Sequence, residues 1–65
     1  MTTKQLLTYI IKEKSQGNAF QELNIQMKIM MKGINVKGIM DNTVPDNPSL
    51  TNRLKEIAKE FDINV

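Results

Sequence analysis

The chain offers few side chains that could perform catalysis. Histidine and cysteine are both absent, so the most common general base and the thiolate nucleophile are missing. The hydroxyls of Ser15 and Ser49 would need an activating base, and neither serine stands in a glycine-flanked turn of the kind that presents a catalytic serine. We therefore expect both hydroxyls to be exposed or to cap a helix, and we predict that the protein is not an enzyme.

Carboxylates are the remaining candidates for chemistry. Glu56 and Glu60 are one helical turn apart, but the neighbouring apolar residues place them on a solvent-facing side. In the loop that begins at Asp41, the glycine and glutamate positions of a calcium-binding loop are occupied by Asp46 and Asn52. We interpret this loop as a turn, and we predict no metal site. No glycine pattern fits a phosphate-binding loop either, so we predict no cofactor.

Length and composition favour a small protein that associates with itself. The 65 residues allow one domain, which we place at residues 1–65. A domain of this size has a marginal core, and without cysteine or histidine neither a disulfide nor a usual zinc site can support it. Self-association is the remaining common device, so we expect a homodimer.

Composition also suggests where the protein is found. The absence of cysteine is compatible with the cytoplasm, where we place the protein. The apolar stretch from Leu6 to Ile11 is too short to span a bilayer, so we expect no membrane partner. Eight lysines against one arginine, with seven asparagines and many isoleucines, suggest a prokaryotic gene rich in A and T.

The first and last segments carry clear helix signals. Thr2 and Gln5 form a capping-box pair ahead of the first segment, and Gly17 is placed to end it. Asn47 can cap the last segment, with Pro48 at the first helical position, where its missing N–H costs nothing. Each segment has one apolar stripe at helical spacing. The stripes are Leu6, Leu7, Ile10 and Ile11 in the first segment and Leu50, Leu54, Ile57, Ala58 and Phe61 in the last.

The middle segment, residues 18–32, carries two competing patterns. From Leu23 to Met31 apolar and polar residues alternate, except at Met30, as in a strand. Its strong helix formers, its lack of Val, Thr and Tyr, and a glycine cap at Gly33 favour a helix. The predicted fold is therefore all-α, a small bundle of three helices with room for a fourth short one over residues 36–40. The alternative is an α+β fold with residues 23–32 as a strand.

As a helix, the middle segment is apolar on two sides. Within its larger stripe we assign Met27 and Met31 to the core and leave the place of Met30 open. This stripe comprises Phe20, Leu23, Met27, Met30, Met31 and Ile34. Ile25 and Ile29 lie one turn apart and point away from it, and a helix apolar on two sides is either central in its fold or faces another chain. We therefore predict a partner surface at Ile25, Ile29 and Met30, rimmed by Lys28 and Lys32.

These features predict a non-enzymatic protein–protein interaction or regulatory module whose partner is a second copy, another protein, or both. The alternative is a small basic protein associated with nucleic acid. The net charge is +2, and residues 1–40 carry six lysines against two glutamates, whereas residues 41–65 carry three cations against five carboxylates. Lys28, Lys32 and Lys37 could contact phosphates of a nucleic acid.

One short run bears on the nucleic-acid alternative. Residues 54–61, LKEIAKEF, resemble the first helix of helix-turn-helix repressors of the lactose-repressor type. In that family a second helix follows the turn and reads the DNA groove. Four residues follow this run, so we expect the similarity to reflect general amphipathic composition. One arginine and three aromatic residues also supply little for base recognition or stacking.

Overall fold

A computed structural model of the chain describes all of residues 1–65 and contains four helices and no strand. The helices are α1 (Thr3–Ser15), α2 (Ala19–Met31), α3 (Val36–Met40) and α4 (Pro48–Glu60). The prediction of a small all-α bundle is confirmed, and the short fourth helix forms at residues 36–40. The alternative strand at residues 23–32 is wrong, because residues 23–31 lie within α2.

Each helix begins at a polar side chain that accepts a hydrogen bond from a free N–H group of the first turn. The predicted capping box of α1 forms in both directions, because the Gln5 N–H donates to Thr2 Oγ1 at 3.1 Å and the Thr2 N–H donates to Gln5 Oε1 at 2.9 Å. Asn18, Asn35 and Asn47 cap α2, α3 and α4 through one accepted hydrogen bond each. The sequence therefore fixes all four starting points locally.

The link between α2 and α3 depends on a glycine in the left-handed region. Gly33 has a φ of +91°, which a residue with a side chain adopts only with strain. Its N–H donates to the carbonyl of Met30 at 3.0 Å, as expected of the glycine cap. The chain then turns inward, and Ile34 and Val36 enter the core.

A second glycine is required by close packing. Gly38 is buried in α3, and a Cβ atom at this position would lie 2.5 Å from Asn35 Nδ2 and 2.6 Å from Val44 Cγ2. The Gly38 carbonyl accepts hydrogen bonds from the N–H groups of Thr43 and Val44 at 2.9 and 3.0 Å. The loop after α3 is thereby held directly against the helix.

One aliphatic core joins the four helices, with α1 in contact with each of the others. The predicted stripes of α1 and α4 both point into it, and Leu50 and Phe61 lie half-buried at its edge. The twelve core residues are Leu6, Leu7, Ile10, Ile11, Ile25, Ile29, Ile34, Val36, Ile39, Leu54, Ile57 and Ala58.

The α2 helix packs on its neighbours with the side opposite to the one predicted. Ile25 and Ile29 are 3% and 0% exposed, so they are core residues. The assignment of Met27 and Met31 to the core is wrong, because both are exposed. Ile25 and Ile29 share one buried cluster with aliphatic side chains of the other three helices. Sequence periodicity identifies the apolar sides of a helix but does not show which side the other helices cover.

Candidate interaction surface

The α2 helix carries a continuous exposed apolar surface. Five of the eight large apolar side chains that are exposed in the whole chain lie on it, with exposed fractions between 52% and 85%. We call these five residues the outer face: Phe20, Leu23, Met27, Met30 and Met31. Positions 20, 23, 27 and 30 recur at steps of three, four and three, so their side chains follow one line along the helix.

The structure divides the predicted partner surface between the core and the solvent. Ile25 and Ile29 anchor α2 to the core, so their predicted place on the surface is wrong. Met30 belongs to the outer face, and Lys28 is exposed beyond one edge of it. Lys32 is also exposed, but its ammonium is paired with the carboxylate of Glu60. Three of the five predicted residues are thus accessible, and two are not.

The carboxyl end of α2 is fixed to α4 by polar contacts. Besides the Lys32–Glu60 ion pair, the guanidinium of Arg53 donates to the backbone carbonyl of Lys32. A cation at this place also stabilises the negative end of the helix dipole. The orientation of the outer face relative to the rest of the molecule is therefore held at this end by both charge and hydrogen bonding.

The edges of the outer face are polar but uncharged near its middle. Asn24 is exposed on one edge, and Gln26 is half-buried on the other. Lys28 lies further around the helix on the side of Asn24, and Glu22 lies half-buried on the side of Gln26. A partner that covers the outer face would therefore meet amide groups before it met charges.

Sequence reasoning missed Phe20, Leu23, Met27 and Met31 as surface residues, although it identified both sides of α2 as apolar. The signal that could have separated the two sides is residue type. The buried side uses branched isoleucines, whereas the exposed side is rich in methionine. Methionine has a flexible and polarisable side chain, and it recurs on surfaces that adapt to a partner.

An open depression of about 560 Å³ runs along the exposed side of α1. Lys4 and Lys12 line it together with Tyr9, which is partly exposed. No carboxylate lines this depression, which offers two cations and one phenol. The two ammonium groups suit an anion.

A polar cluster joins the loop before α4 to the start of α1. The buried Thr3 hydroxyl donates to the Asp46 carboxylate, and the Thr3 N–H donates to the same oxygen at 2.7 Å. The Asn47 N–H donates to Thr3 Oγ1 at 3.2 Å, and Thr51 Oγ1 lies 3.2 Å from that atom. The hydrogen bonds from the Thr3 hydroxyl and then from its N–H lower the pKa of Asp46. All of these contacts are made within the chain, so the cluster has a structural role.

None of the remaining candidates for chemistry lines a cavity. Ser15 is buried rather than exposed, and its hydroxyl donates to the carbonyl of Lys12 at 3.3 Å. Ser49 is exposed in the first turn of α4, and Glu56 and Glu60 are exposed further along that helix. No three carboxylates converge closely enough to hold a metal ion.

Comparison with known proteins adds no assignment. No protein-family model, no curated protein and no solved structure matches this chain. None of the four helices has both the length and the apolar character needed to cross a membrane. The function must therefore be inferred from the surfaces described above.

Proposed function

We propose that this protein is a non-enzymatic interaction module that binds a protein partner through the outer face of α2. The observation that carries the proposal is the alignment of five large apolar side chains, each at least half exposed, on one side of one helix. Isolated apolar residues on a surface need no explanation, but a contiguous apolar patch on a small protein indicates a site of association.

The size of the exposed surface supports association. From the exposed fractions, the outer face leaves on the order of 600 Å² in contact with water. That is at the upper end of the largest apolar patch on a typical monomer, about 300–600 Å². Burial of such an area against a complementary surface supplies a large apolar driving force.

The chemistry of the outer face suits a protein partner. Methionine and phenylalanine are enriched at the centres of protein interfaces, where charged residues are depleted. The two neutral edges, at Asn24 and at Gln26, can exchange hydrogen bonds with a polar rim on the partner. A prokaryotic and cytoplasmic setting belongs to this proposal, supported by the codon-related composition and by the absence of cysteine.

Affinity capture with matched variants tests the proposal. Tagged wild-type protein and a Leu23→Glu/Met27→Glu variant are incubated with lysate of the source organism at near-physiological salt. Both substitutions are at exposed positions, so we expect the variant to keep its helical circular dichroism spectrum and its melting temperature. We expect a partner to bind the wild type and to be lost from the variant. An untagged copy of this chain counts as such a partner.

The matched control is Ser49→Glu/Asn52→Glu on the exposed side of α4. It introduces the same two negative charges, three residues apart rather than four, on a polar surface. We expect it to retain every partner of the wild type. Identical capture by wild type, the α2 variant and the control would contradict a role for the outer face.

A second candidate function rests on the depression along α1. Lys4 and Lys12 place two cations on either side of Tyr9, which suits the phosphates and bases of a nucleic acid. This candidate requires affinity for single-stranded DNA or RNA that falls steeply with salt and is weakened by Lys4→Gln/Lys12→Gln. Absence of binding at low salt, or binding that is insensitive to salt, excludes it.

A further inference from the structure

The outer face of α2 is complementary to itself when two helices pack antiparallel. With a two-fold axis at the level of Ile25, Phe20 of one copy lies level with Met30 of the other, and Leu23 lies level with Met27. The steps of three and four residues are those of the a and d positions in a coiled coil. Each of these four side chains therefore meets an apolar one, and the Phe20 ring gains contact with a methionine sulfur.

The edges of the outer face are compatible with the same arrangement. In an antiparallel pair each edge meets the same edge of the other copy, so Asn24 faces Asn24 and Gln26 faces Gln26. An amide can both donate and accept, which allows it to pair with its own copy. Charges at these positions would instead repel their symmetry mates, and none is present.

The helix dipoles favour antiparallel over parallel packing. Antiparallel packing opposes the dipoles of the two α2 helices, whereas parallel packing aligns them. Glu22 and Lys28 lie on opposite edges of the outer face, so they do not pair across the seam. The antiparallel arrangement therefore has the more favourable dipole interaction.

With both outer faces completely covered, their area reaches the lower limit expected of a dimer interface. Two copies that cover their outer faces remove on the order of 1,200 Å² of surface from water. This value lies at the lower limit of specific and stable interfaces, about 1,200–2,000 Å². The helix presents this surface as one straight seam of about 15 Å between positions 20 and 30.

From these features we infer that the occupant of the outer face is a second copy of this chain, with the two α2 helices packed antiparallel about Ile25. This inference rests on the proposed function and names its partner. The interface is isologous, so the same five residues serve both copies and the assembly closes at two.

Sedimentation equilibrium measures self-association directly. We expect the mass of the wild type to rise with concentration from 7.4 kDa toward twice that value. Leu23→Glu/Met27→Glu buries charges in the seam, and we expect it to raise the dissociation constant by about 100-fold or more. The matched control Ser49→Glu/Asn52→Glu leaves the dissociation constant unchanged.

Single cysteines test the antiparallel register, because the natural chain has none. About the proposed axis, two copies of residue 24 are about 3 Å apart along the helix direction, and two copies of residue 19 are about 18 Å apart. We expect a short bismaleimide to cross-link Asn24→Cys efficiently and Ala19→Cys poorly. Asn52→Cys on α4 controls for collisional cross-linking.

Four outcomes test this inference and the proposed function separately. Equal cross-linking of the Asn24→Cys and Ala19→Cys variants contradicts the antiparallel register. A 7.4 kDa mass at every concentration contradicts the second copy as occupant. If the chain is monomeric but Leu23→Glu/Met27→Glu still loses a protein in affinity capture, the outer face is an interface and only its occupant is wrong. If that variant also loses nothing, both proposals are wrong.

Discussion

The helices α2 and α4 are both thirteen residues long and both pack on the same core. Their exposed sides, however, differ in composition. On α4 the buried side is apolar, and exposed residues such as Arg53, Lys55, Glu56 and Lys59 are charged. On α2 the buried side is formed by Ile25 and Ile29, and the exposed side is more apolar still.

The difference supports the proposed role of α2 in binding. The single stripe of α4 is accounted for by folding alone, because it buries what is apolar and exposes what is charged. Folding of one chain does not account for the outer face of α2, since its five side chains remain in water. The unexplained apolar surface is therefore the feature that points to another chain.

Truncation of the two sides of α2 gives the largest expected contrast. We expect Ile29→Ala to lower the free energy of unfolding by about 2–5 kcal/mol, because it opens a cavity in the core. Met27→Ala should change that free energy by no more than about 0.5 kcal/mol in dilute monomer. Urea titration followed by circular dichroism measures both.

Ile29→Val keeps this comparison measurable if the alanine variant does not fold. Removal of one methylene group from the same site should lower the free energy of unfolding by about 0.5–1.5 kcal/mol. Equal losses for Ile29→Val and Met27→Ala would mean that the two sides of α2 do not differ in burial.

Sequence alone was sufficient to predict a helix and its buried side where the segment carried only one apolar stripe. The starts of α1 and α4 followed from Thr2 with Gln5 and from Asn47 with Pro48, and their core stripes followed from spacing. The two sides of α2 both satisfied the helical period, so periodicity could not choose between them. Which side is buried depends on the space left by α1, α3 and α4, and this is a property of the assembled core.

The partner surface was only partly predictable for the same reason. That α2 is apolar on two sides was visible in the sequence, but the choice of Ile25 and Ile29 depended on the unresolved question of which side packs. The contacts of Asp46 with Thr3 are separated by 43 residues in the chain. No local pattern links residues so far apart, so this cluster could not be predicted.

A substitution in α3 tests how tightly the loop after α3 packs against that helix. We expect Gly38→Ala to lower the free energy of unfolding by about 1–3 kcal/mol, because the added methyl group would overlap Asn35 and Val44. The loss should appear in thermal melts of the monomer and leave the dissociation constant of the dimer nearly unchanged, since the outer face is not altered. Wild-type stability in this variant would mean that the loop moves aside without cost.

Oxidation of methionine is expected to alter the exposed side of α2 but not that of α4. Hydrogen peroxide transfers one oxygen atom to a methionine sulfur and leaves as water, which converts the thioether into a polar sulfoxide. Met27, Met30 and Met31 are exposed on α2, whereas α4 contains no methionine. We expect mild peroxide treatment to weaken self-association about tenfold, which is about 1.4 kcal/mol, while the helical content is retained.

The control for oxidation replaces all three methionines with leucine. Met27→Leu/Met30→Leu/Met31→Leu conserves the apolar character of the outer face, so this variant should dimerise before and after treatment. Sedimentation equilibrium and peptide mass spectrometry report the assembly and the oxidised positions. Loss of dimerisation in the leucine variant on treatment would place the effect outside the outer face.

Lowering the pH gives the smallest expected effect. It acts on the contact between Thr3 and Asp46, which lies in the loop before α4. Hydrogen bonds from the Thr3 hydroxyl and then from its N–H hold the pKa of Asp46 below its ordinary value in the folded state. A lowered folded pKa contributes stability that is present above the ordinary aspartate value and is lost as pH falls through the folded pKa, here below about pH 4.

The test compares wild type with Asp46→Asn at neutral pH and in acid. Asparagine keeps the shape of the side chain but has no charge, so Asp46→Asn should be less stable than wild type at pH 7. The difference should shrink as the wild-type carboxylate is protonated.

Hydrogen exchange at the Thr3 and Asn47 amides, which join α1 to the start of α4, should show the same loss in acid, whereas amides of α2 should not. A difference between wild type and Asp46→Asn that stays constant with pH would mean that the charge of Asp46 does not stabilise the contact with Thr3. The junction of α4 with α1 would then depend on its neutral hydrogen bonds and on apolar packing.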